Sequence, residues 1–489
     1  MKSDCTQADP TAANNQPKRP RKTSLLTSTP QSLVLAASVV KRACIDSFKW
    51  DSFSAGAQLY SASGACHNSP MILKAPVGKV EKVDVPKGFE TKLNGKCCKF
   101  KDHKINSSGS YICTTMPPAT EPTTDEPTTE CLFVPGTKDI FLRNTPGFPQ
   151  PLPAPPTSPA FRIQEIPGKG LGVVAARPLK QGDLLLTERP LLMMPLAIPV
   201  TRPRTFTPAQ AMQHSPNESE RYAEIVVGRM EKGRREAFYR LHNSHTEDGS
   251  GPIDGRIRTN GIGLRGLQPG VAGAIGMYTA VCDVVARLNH SCSPNTQPKF
   301  NRTMFAFEVY AVREVAEGEE LTFQYFDALV PAEERAEMCT PYAFKCSCAA
   351  CTEPTRESDA RRAEIASFMP SVSAWSTNPA LADDWLVDRC LEQLEMLERE
   401  GLQYSEQYYM ATQTIMESYI CLGDAERASQ WAARVKPLVW SEHYRPVDDF
   451  LDPKSPAYAG HVLWRARIDD CHGGLSSNCR LGETRMVAT

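Results

Sequence analysis

The chain has 489 residues, of which 41% are hydrophobic, so it is long enough for two or three folded units with cores of their own. Its 55 basic and 56 acidic residues nearly cancel, which argues against a protein that binds nucleic acid mainly through bulk positive charge. The 17 cysteines are scattered and odd in number, which favours a reducing compartment over a disulfide framework. The apolar stretch 33–40 is too short to cross a bilayer, so we expect neither a transmembrane helix nor a signal peptide.

The region 1–159 is rich in Thr, Pro, Ser and Lys and lacks sustained periodicity, so we expect most of it to be disordered. Short pieces such as Thr137 to Arg143 could be ordered against the folded body. The basic run 18–22 fits a nuclear import signal, or else a solvated run of charge. A degraded small module is an alternative for four cysteines of this region, namely Cys97, Cys98, Cys113 and Cys131.

Order is expected to begin near Phe161. Two apolar runs, 171–176 and 184–188, are separated by a turn sequence and predict a hairpin of two strands. A helix is predicted over 220–241, as an insertion between strand-rich parts. Its candidate N-terminal caps are Asn217 and Ser219.

Two further strands are predicted over 303–312 and 321–326, on either side of a Glu-Gly turn. In the second strand, Leu321, Phe323 and Tyr325 share one face because strand side chains alternate with a period of two. Tyr325 is therefore predicted to leave the strand end pointing toward whatever that face covers.

The C-terminal part changes to a helical period. A helix is predicted to start at Asp383-Asp384 and to stop at Gly401, a second to run over 405–422, and a third over 425–435. The sequence around the last two resembles a tetratricopeptide-type hairpin, and an ordinary helical bundle is the alternative. The tail 471–489 has no periodic pattern, and we expect it to be unstructured.

A zinc site is predicted from four cysteines. Cys346, Cys348 and Cys351 lie within six residues and can each direct a sulfur at one ion, while tetrahedral zinc needs a fourth ligand. Cys292 is the best-placed candidate, and its use would pin two remote segments together. Four thiolates leave no open position for a water, so the ion would be structural. Free cysteines or adventitious disulfides are the alternative.

A glycine pair and a polar pair suggest a ligand site. Gly170 and Gly172 lie just before a strand and would let the backbone approach a ligand closely, although a plain turn is the alternative. A third glycine and a following helix are missing, which disfavours a dinucleotide cradle. Asn289 and His290 follow an apolar run and are expected at the edge of a core with their side chains hydrogen-bonded.

Taken together, the motif 289–295, the strand 321–325, the glycine run 169–172 and the trailing cysteines resemble those of a SET-domain protein lysine methyltransferase. The insertion, the segment from Tyr342 to Cys346 and the helical C-terminus are most similar to the SMYD branch and its fungal-type relatives. Two departures matter. The insertion lacks the cysteine-rich MYND zinc finger, so no partner recruitment through such a finger is expected, and Gln324 stands where many SET proteins have an acidic residue.

The resemblance implies an α+β fold and a domain order. A SET-domain β-fold would occupy 160–355, with a helical insertion at about 200–262 and a zinc-binding post-SET segment at 342–352. An α-helical, tetratricopeptide-like domain would follow over 360–470. The disordered region 1–159 and the tail 471–489 would flank these parts.

The resemblance also implies roles for single residues. Tyr325 would be the catalytic tyrosine, and Tyr342 would line the channel through which the substrate lysine reaches the methyl group. Cys292, Cys346, Cys348 and Cys351 would bind zinc. The residues expected to hold S-adenosylmethionine are Lys169, Gly170, Leu171, Gly172, Asn260, Asn289, His290, Tyr325 and Phe344.

The activity implied is transfer of methyl groups from S-adenosylmethionine to the ε-amine of lysine in histones or other proteins, in the nucleus or the cytoplasm. A SET-fold binding or scaffold protein that recruits partners through its helical C-terminus is the alternative function. We expect a protein substrate, no sequence-specific contact with nucleic acid and no membrane partner.

Overall fold

A computed structural model of the chain describes residues 82–468, except 96–99, 107–109, 119–125, 155, 199, 201–202 and 269–275. The basic run 18–22, Cys97, Cys98 and the tail 471–489 lie outside the described residues. Within the described part, no helix combines the length and the apolar character that crossing a membrane requires. The cysteines of this part are free thiols.

Thirteen strands lie in the described part of the chain and form three sheets. They are β1 (His103–Lys104), β2 (Ile112–Met116), β3 (Thr129–Phe133), β4 (Phe161–Ile166), β5 (Gly170–Ala175), β6 (Leu184–Glu188), β7 (Leu192–Pro195), β8 (Ile262–Leu264), β9 (Tyr278–Val281), β10 (Asn289–His290), β11 (Thr296–Asn301), β12 (Ala306–Ala311) and β13 (Glu320–Phe323). The sheet orders are β1-β2-β3-β7-β9-β8, β10-β13-β5-β4 and β11-β12-β6. In the largest sheet β7 and β9 are buried along their whole length, as strands covered on both faces are.

The four-stranded sheet gathers the three sequence motifs. Its β10 pairs with β13 in parallel, with His290 opposite Phe323. Its β5 pairs with β13 from the other side in antiparallel, with Leu321 opposite Val173. The glycine run, the asparagine-histidine pair and the strand that precedes Tyr325 therefore lie side by side, although more than 100 residues separate the first from the others.

The predicted hairpin is wrong in its pairing. Strands β5 and β6 form close to the predicted residues, but β5 pairs with β4 and β13, while β6 pairs with β12. Gly182, with a φ of 88°, forms the expected turn, and its N–H donates to the carbonyl of Ala311 at 2.8 Å. A turn signal and two apolar runs locate strands, but the pairing is decided by distant strands that bury the same faces.

The prediction of disorder over most of 1–159 is wrong for the described residues between 100 and 142. Strands β1 to β3 extend the largest sheet, where β3 pairs in parallel with β7. Buried Glu130 of β3 accepts a hydrogen bond at 2.6 Å from the guanidinium of buried Arg229, which ties this segment to the helical insertion. Cys113 and Cys131 lie buried within the same sheet and do not form a separate module.

The described helices are α1 (Thr137–Leu142), α2 (Pro208–Arg229), α3 (Lys232–Tyr239), α4 (Pro252–Asn260), α5 (Ala332–Met338), α6 (Ala349–Thr352), α7 (Arg356–Ser367), α8 (Val372–Ser376), α9 (Trp385–Arg399), α10 (Glu406–Cys421), α11 (Ala425–Val435) and α12 (Ala457–Gly460). The ordered piece predicted over Thr137 to Arg143 is confirmed by α1, which buries Phe141 completely.

The single helix predicted over 220–241 is wrong in its extent: α2 begins earlier and ends at Arg229, and the extended backbone of Met230 and Glu231 separates it from α3. Thr207, not Asn217 or Ser219, caps α2: its hydroxyl accepts from the N–H of Gln210, whose side chain accepts from the N–H of Thr207. Pro208 occupies the first helical position, where no N–H is needed. This capping box starts the helix ahead of Asn217 and Ser219, the polar residues that the sequence suggested as its start.

The three C-terminal helices are confirmed within a few residues of their predicted limits. Ser405 caps α10 by accepting from the N–H of Tyr408, and Asp424 caps α11 by accepting from the N–H of Arg427. Gly401 follows the C-terminal end of α9. Its φ of 67° is a left-handed conformation that glycine adopts without strain. Helix α10 packs between α9 and α11, so the C-terminal part is a helical unit packed onto the β-sheets.

Candidate active site and cysteine cluster

The four predicted metal ligands come together. The sulfur atoms of Cys292, Cys346, Cys348 and Cys351 all lie within 4.8 Å of one another. Four sulfurs at Zn–S bonds of about 2.3 Å would stand roughly 3.8 Å apart in a tetrahedron, so the cluster has the size and the soft donor set that zinc requires. Helix α6 places Cys348 and Cys351 on one short turn, where the N–H of Cys351 donates to the carbonyl of Cys348 at 2.9 Å.

His290 connects this cluster to the tyrosine. Its Nδ1 accepts the backbone N–H of Tyr325 at 3.1 Å, and its Nε2 lies 3.3 Å from the sulfur of Cys292. Because a backbone N–H can only donate, Nδ1 must be the unprotonated nitrogen, which leaves the proton of a neutral ring on Nε2, facing the sulfur. The ring is thus committed to positioning.

Tyr325 is held in a fixed and neutral state. It is buried, and its hydroxyl donates to the carbonyl of Leu288 at 2.9 Å. Burial raises the pKa of Tyr325 far above its usual value, and the charge of Glu320 adds to this. The phenol therefore stays protonated at neutral pH and acts as a hydrogen-bonding and positioning group.

Three aromatic rings form one cluster at the end of β13. The ring centroid of Tyr325 lies 5.2 Å from that of Tyr342 and 6.0 Å from that of Phe344, and the latter two are 6.2 Å apart. Ala343 between them has a φ of 56°, a left-handed conformation that costs a non-glycine residue about 1 kcal/mol or more. Strain of this kind is retained where the surrounding contacts fix the backbone, and here it lets both rings lie against Tyr325.

The glycine run forms an open turn beside Asn289. Gly170 has a φ of 71° and free space around it, while a Cβ on Gly172 would stand 2.9 Å from Nδ2 of Asn289. That Nδ2 donates to Glu320 at 2.8 Å, and Nζ of Lys169 donates to the other carboxylate oxygen at 2.6 Å. Leu171 is 46% exposed on the same turn. The backbone here can approach a bound molecule closely, as the predicted cofactor site requires.

Asn260 lies at the C-terminal end of α4 and is buried. Its amide donates to the carbonyls of His242 at 2.7 Å and Arg256 at 2.8 Å, so the side chain shapes the loop in front of α4. That loop reaches the post-SET segment, because the hydroxyl of Ser244 donates to the carbonyl of Pro341 at 3.3 Å. The role of Asn260 at the cofactor stays a prediction.

Two buried charged residues that sequence reasoning missed support the site from the helical side. Arg362 of α7 is fully buried and donates to the carbonyls of Ala328 at 2.6 Å and Cys292 at 3.1 Å. Glu400, next to the end of α9, accepts from Nε of Arg362 at 3.1 Å. Glu320 was missed as well. The only sign of Glu320 in the sequence is an acidic pair before a strand. The sequence of α7 gives no sign that Arg362 points inward.

Comparisons with known proteins agree with this geometry. The SET domain family matches residues 170–326, which hold Gly170 to Gly172, the β10 motif and Tyr325. Histone-lysine N-methyltransferase set5 of Schizosaccharomyces pombe is 26% identical over 315 residues, 62% of this chain and 87% of that protein. N-lysine methyltransferase SMYD2 of Homo sapiens is 39% identical over 88 residues, 18% of this chain and 19% of that protein. A solved structure of ctPRC2 in an autoinhibited conformation bound to S-adenosylmethionine covers 64% of this chain and 34% of that one at 14% identity, with a TM-score of 0.18 that supports no argument.

Residues 170–326 match the SET domain, and the fold, the site and the named relatives support the class of SET-domain lysine methyltransferases, which use S-adenosylmethionine. Within that class the chain is SMYD-like, with set5 of fission yeast among its relatives. Its mixed β-sheets and helical C-terminal region are those expected, and its four-cysteine group could hold a structural zinc ion.

Proposed function

We propose that this chain transfers methyl groups from S-adenosylmethionine to the ε-amine of lysine in protein substrates, histones among them. The observation that carries the proposal is the position of Tyr325: its hydroxyl donates to the carbonyl of Leu288, just before β10, and its ring lies near those of Tyr342 and Phe344. A positioned phenol in an apolar pocket suits a reaction that needs alignment and exclusion of water more than it needs an enzyme nucleophile.

The chemistry divides between cofactor and chain. When bound, S-adenosylmethionine supplies a methyl group activated by a positively charged sulfur. The residues of the chain would orient the attacking amine: the Tyr325 hydroxyl and the Leu288 carbonyl lie 2.9 Å apart and offer polar atoms in an otherwise aromatic wall. Tyr342 and Phe344 would keep water from the reacting centre. Desolvation in such a channel lowers the pKa of the substrate lysine, which favours the neutral amine that reacts.

The metal site would act through structure. Four thiolates fill a tetrahedral shell, so zinc bound there would lack the open position that hydrolytic chemistry uses. Its contribution would be to hold Tyr342 and Phe344 in place, because the post-SET segment from Cys346 to Cys351 would be tied to Cys292. Loss of the metal would release both rings.

The remaining expectations are part of the proposal. The helical C-terminal region would be tetratricopeptide-like and would bind protein partners, supported by three sequential helices of which the middle one packs on both others. A nuclear or cytoplasmic location would follow from the basic run 18–22 and the proposed substrates.

A transfer assay tests the activity. Purified protein is incubated with methyl-labelled S-adenosylmethionine and either core histones or a cell-protein extract, beside its Tyr325→Phe and Tyr239→Phe variants. Tyr239 is exposed and is not part of the aromatic cluster around Tyr325, so its variant controls for the loss of a hydroxyl. We expect labelling by the wild type and the control, and a decrease of about 100-fold or more in Tyr325→Phe. Folded protein that binds the cofactor and labels nothing would favour the scaffold function instead.

A further inference from the structure

Arg362 of α7 reaches from the helical C-terminal region into the SET domain. It is fully buried, and on the helical side its guanidinium donates to a carboxylate oxygen of Glu400 at 3.1 Å and to the carbonyl of Glu400 at 3.3 Å. On the other side it donates to the carbonyls of Cys292 at 3.1 Å and Ala328 at 2.6 Å, and to the hydroxyl of Ser293 at 3.3 Å. A guanidinium carries five N–H groups, so each of them has an acceptor here.

Cys292 and Ala328 lie on the two segments that position Tyr325. Cys292 is two residues after His290, whose ring accepts the N–H of Tyr325 at 3.1 Å, and Ala328 is three residues after Tyr325. A carbonyl can only accept a hydrogen bond, so these two carbonyls cannot bond to each other. Both residues are fully buried, and a buried carbonyl needs a donor, which Arg362 supplies to each of them.

The bridge through Arg362 continues a connection that the sheet begins. The last registered pair of β10 with β13 is His290 with Phe323, and the N–H of Ser291 then donates to the carbonyl of Phe323 at 3.2 Å. Arg362 joins the same two segments beyond the end of this ladder. Because a planar guanidinium with all its donors engaged has one fixed orientation, the bridge also sets the spacing of the two segments.

The neighbouring Arg361 separates this bridge from the ion pair. Its guanidinium also binds Glu400, at 2.6 Å between Nη2 and Oε1, but its side chain is 22% exposed. Among the described residues, the hydrogen bond of Arg361 is to Glu400 alone. Anchoring of the helical region is therefore shared by both arginines, while contact with the segments around Tyr325 belongs to Arg362.

We propose that Arg362 is a positioning residue of the transferase reaction, which fixes Tyr325 by bridging the carbonyls of Cys292 and Ala328. The helical C-terminal region then forms part of the scaffold of the active site, in addition to any part in partner binding. Misplacement of an orienting group by about 1 Å can cost about 100-fold in rate. The link to catalysis rests on the proposed transferase function, while the bridge itself can be measured without it.

Hydrogen exchange of the backbone amides, read by mass spectrometry on the full chain, tests the bridge. Arg362→Lys keeps the charge but carries three N–H groups on one atom, too few for the five acceptors. We expect exchange to become about tenfold faster in segments 288–293 and 325–328 and to stay unchanged in α10. Arg361→Met, which loses an ion pair with the same carboxylate, should leave both segments as in the wild type. Equal effects of the two variants, or faster exchange spread evenly over the helices, would overturn the proposal.

Ser293→Ala keeps the test decisive if an arginine variant folds poorly. It removes one acceptor of the Arg362 guanidinium, and the bond at 2.6 Å from the Ser293 hydroxyl to the carbonyl of Glu400, by a small change at a half-buried residue. We expect exchange about threefold faster, confined to the same two segments. Unchanged exchange in these segments would count against the bridge.

Steady-state kinetics test the link to catalysis. Arg362→Lys should lower kcat about tenfold or more and change the KM for S-adenosylmethionine less than about threefold, because Asn289 is held by Glu320 and not by this bridge. Arg361→Met should match the wild type in both constants. Faster exchange around Tyr325 with an unchanged kcat would overturn the catalytic role of Arg362. Absence of transfer by the wild-type protein would instead reject the proposed function, and the exchange data would still decide on the bridge.

Discussion

Tyr325 is connected to Cys292 through a single imidazole ring. His290 accepts the N–H of Tyr325 at 3.1 Å on one side and faces the Cys292 sulfur at 3.3 Å on the other. A hydrogen bond to a thiolate that also binds zinc would fix both the ring and the ligand. The position of the reacting tyrosine is therefore coupled to the cysteine cluster directly, and not only through the post-SET segment.

Loss of one sulfur should disorder the active site. Cys348→Ser is expected to reduce bound zinc to near zero and to weaken binding of S-adenosylmethionine, because Tyr342 and Phe344 lose their anchorage. Metal analysis of the purified protein and calorimetric titration with the cofactor measure the two effects.

The matched control is Cys339→Ser. Cys339 is buried close to the cluster, but its sulfur donates to the carbonyl of Arg335 at 3.3 Å, a contact that a serine hydroxyl can replace. We expect this variant to retain zinc and cofactor binding. Full zinc content in Cys348→Ser would show that the four sulfurs are not the metal site.

Gly172 should tolerate no side chain. A Cβ there would stand 2.5 Å from Cγ1 of Ile166 and 2.9 Å from Nδ2 of Asn289, both closer than real contacts allow. Gly172→Ala is expected to displace Asn289 and to weaken cofactor binding about tenfold, the loss of one well-placed hydrogen bond. Gly228→Ala is the comparison, since Gly228 is exposed on α2, has a helical backbone and has nothing within 4 Å of its added Cβ. Equal affinities for the two variants in a cofactor titration would remove Asn289 from the site.

Glu320 should support cofactor binding mainly through its hydrogen bond from Asn289, and less through its ion pair with Lys169. The ion pair with Lys169 is partly exposed, with side chains 32% and 19% accessible, and such pairs contribute about 1 kcal/mol or less. Glu320→Gln keeps an acceptor for Asn289 and should change cofactor affinity about twofold. Glu320→Leu leaves the amide of Asn289 without this acceptor and should weaken cofactor binding about tenfold. An effect of Glu320→Gln as large as that of Glu320→Leu would assign the role to charge instead.

The sequence predicted the parts of the site that local patterns specify. Cysteine spacing identified the cluster, alternation placed Tyr325 at the end of β13, and caps set the limits of α10 and α11. Apart from Cys292, which is remote from the other three cysteines, these features depend on residues close together in the chain, where spacing translates directly into geometry.

The pairings and the buried charges could not be predicted in this way. Strand β3 pairs with β7 about 60 residues away, and its short apolar run gives no sign of the strand with which it pairs. Arg362 lies in a helix with only one large apolar residue, Ile365, yet it is fully buried because Glu400 and two backbone carbonyls surround it. The partner that makes such burial possible is known only once the fold is known.

The Arg362–Glu400 pair should make the stability of the protein sensitive to acid. Burial acts to raise the pKa of Glu400, but hydrogen bonds from Ser358 and Arg361 and the charge of Arg362 outweigh it and hold the pKa below its usual value of 4.5. A lowered pKa in the folded state means that the carboxylate stabilises the fold fully above about pH 4.5. That contribution is lost as the pH falls through the lower folded value.

The Glu400→Leu variant checks this contribution, because it leaves the charge of Arg362 buried with only carbonyl partners. At about pH 7 the variant should lose about 3 kcal/mol of unfolding free energy. At about pH 3 the difference from wild type should shrink, since the stabilisation from a carboxylate with a lowered pKa declines as the pH falls below the usual value of 4.5. Urea denaturation at the two pH values measures both, with Glu395→Gln on the exposed face of α9 as the control expected to match wild type. A deficit that stays the same at both pH values would mean that packing of the side chain, and not its charge, holds the helical region against the Cys292 loop.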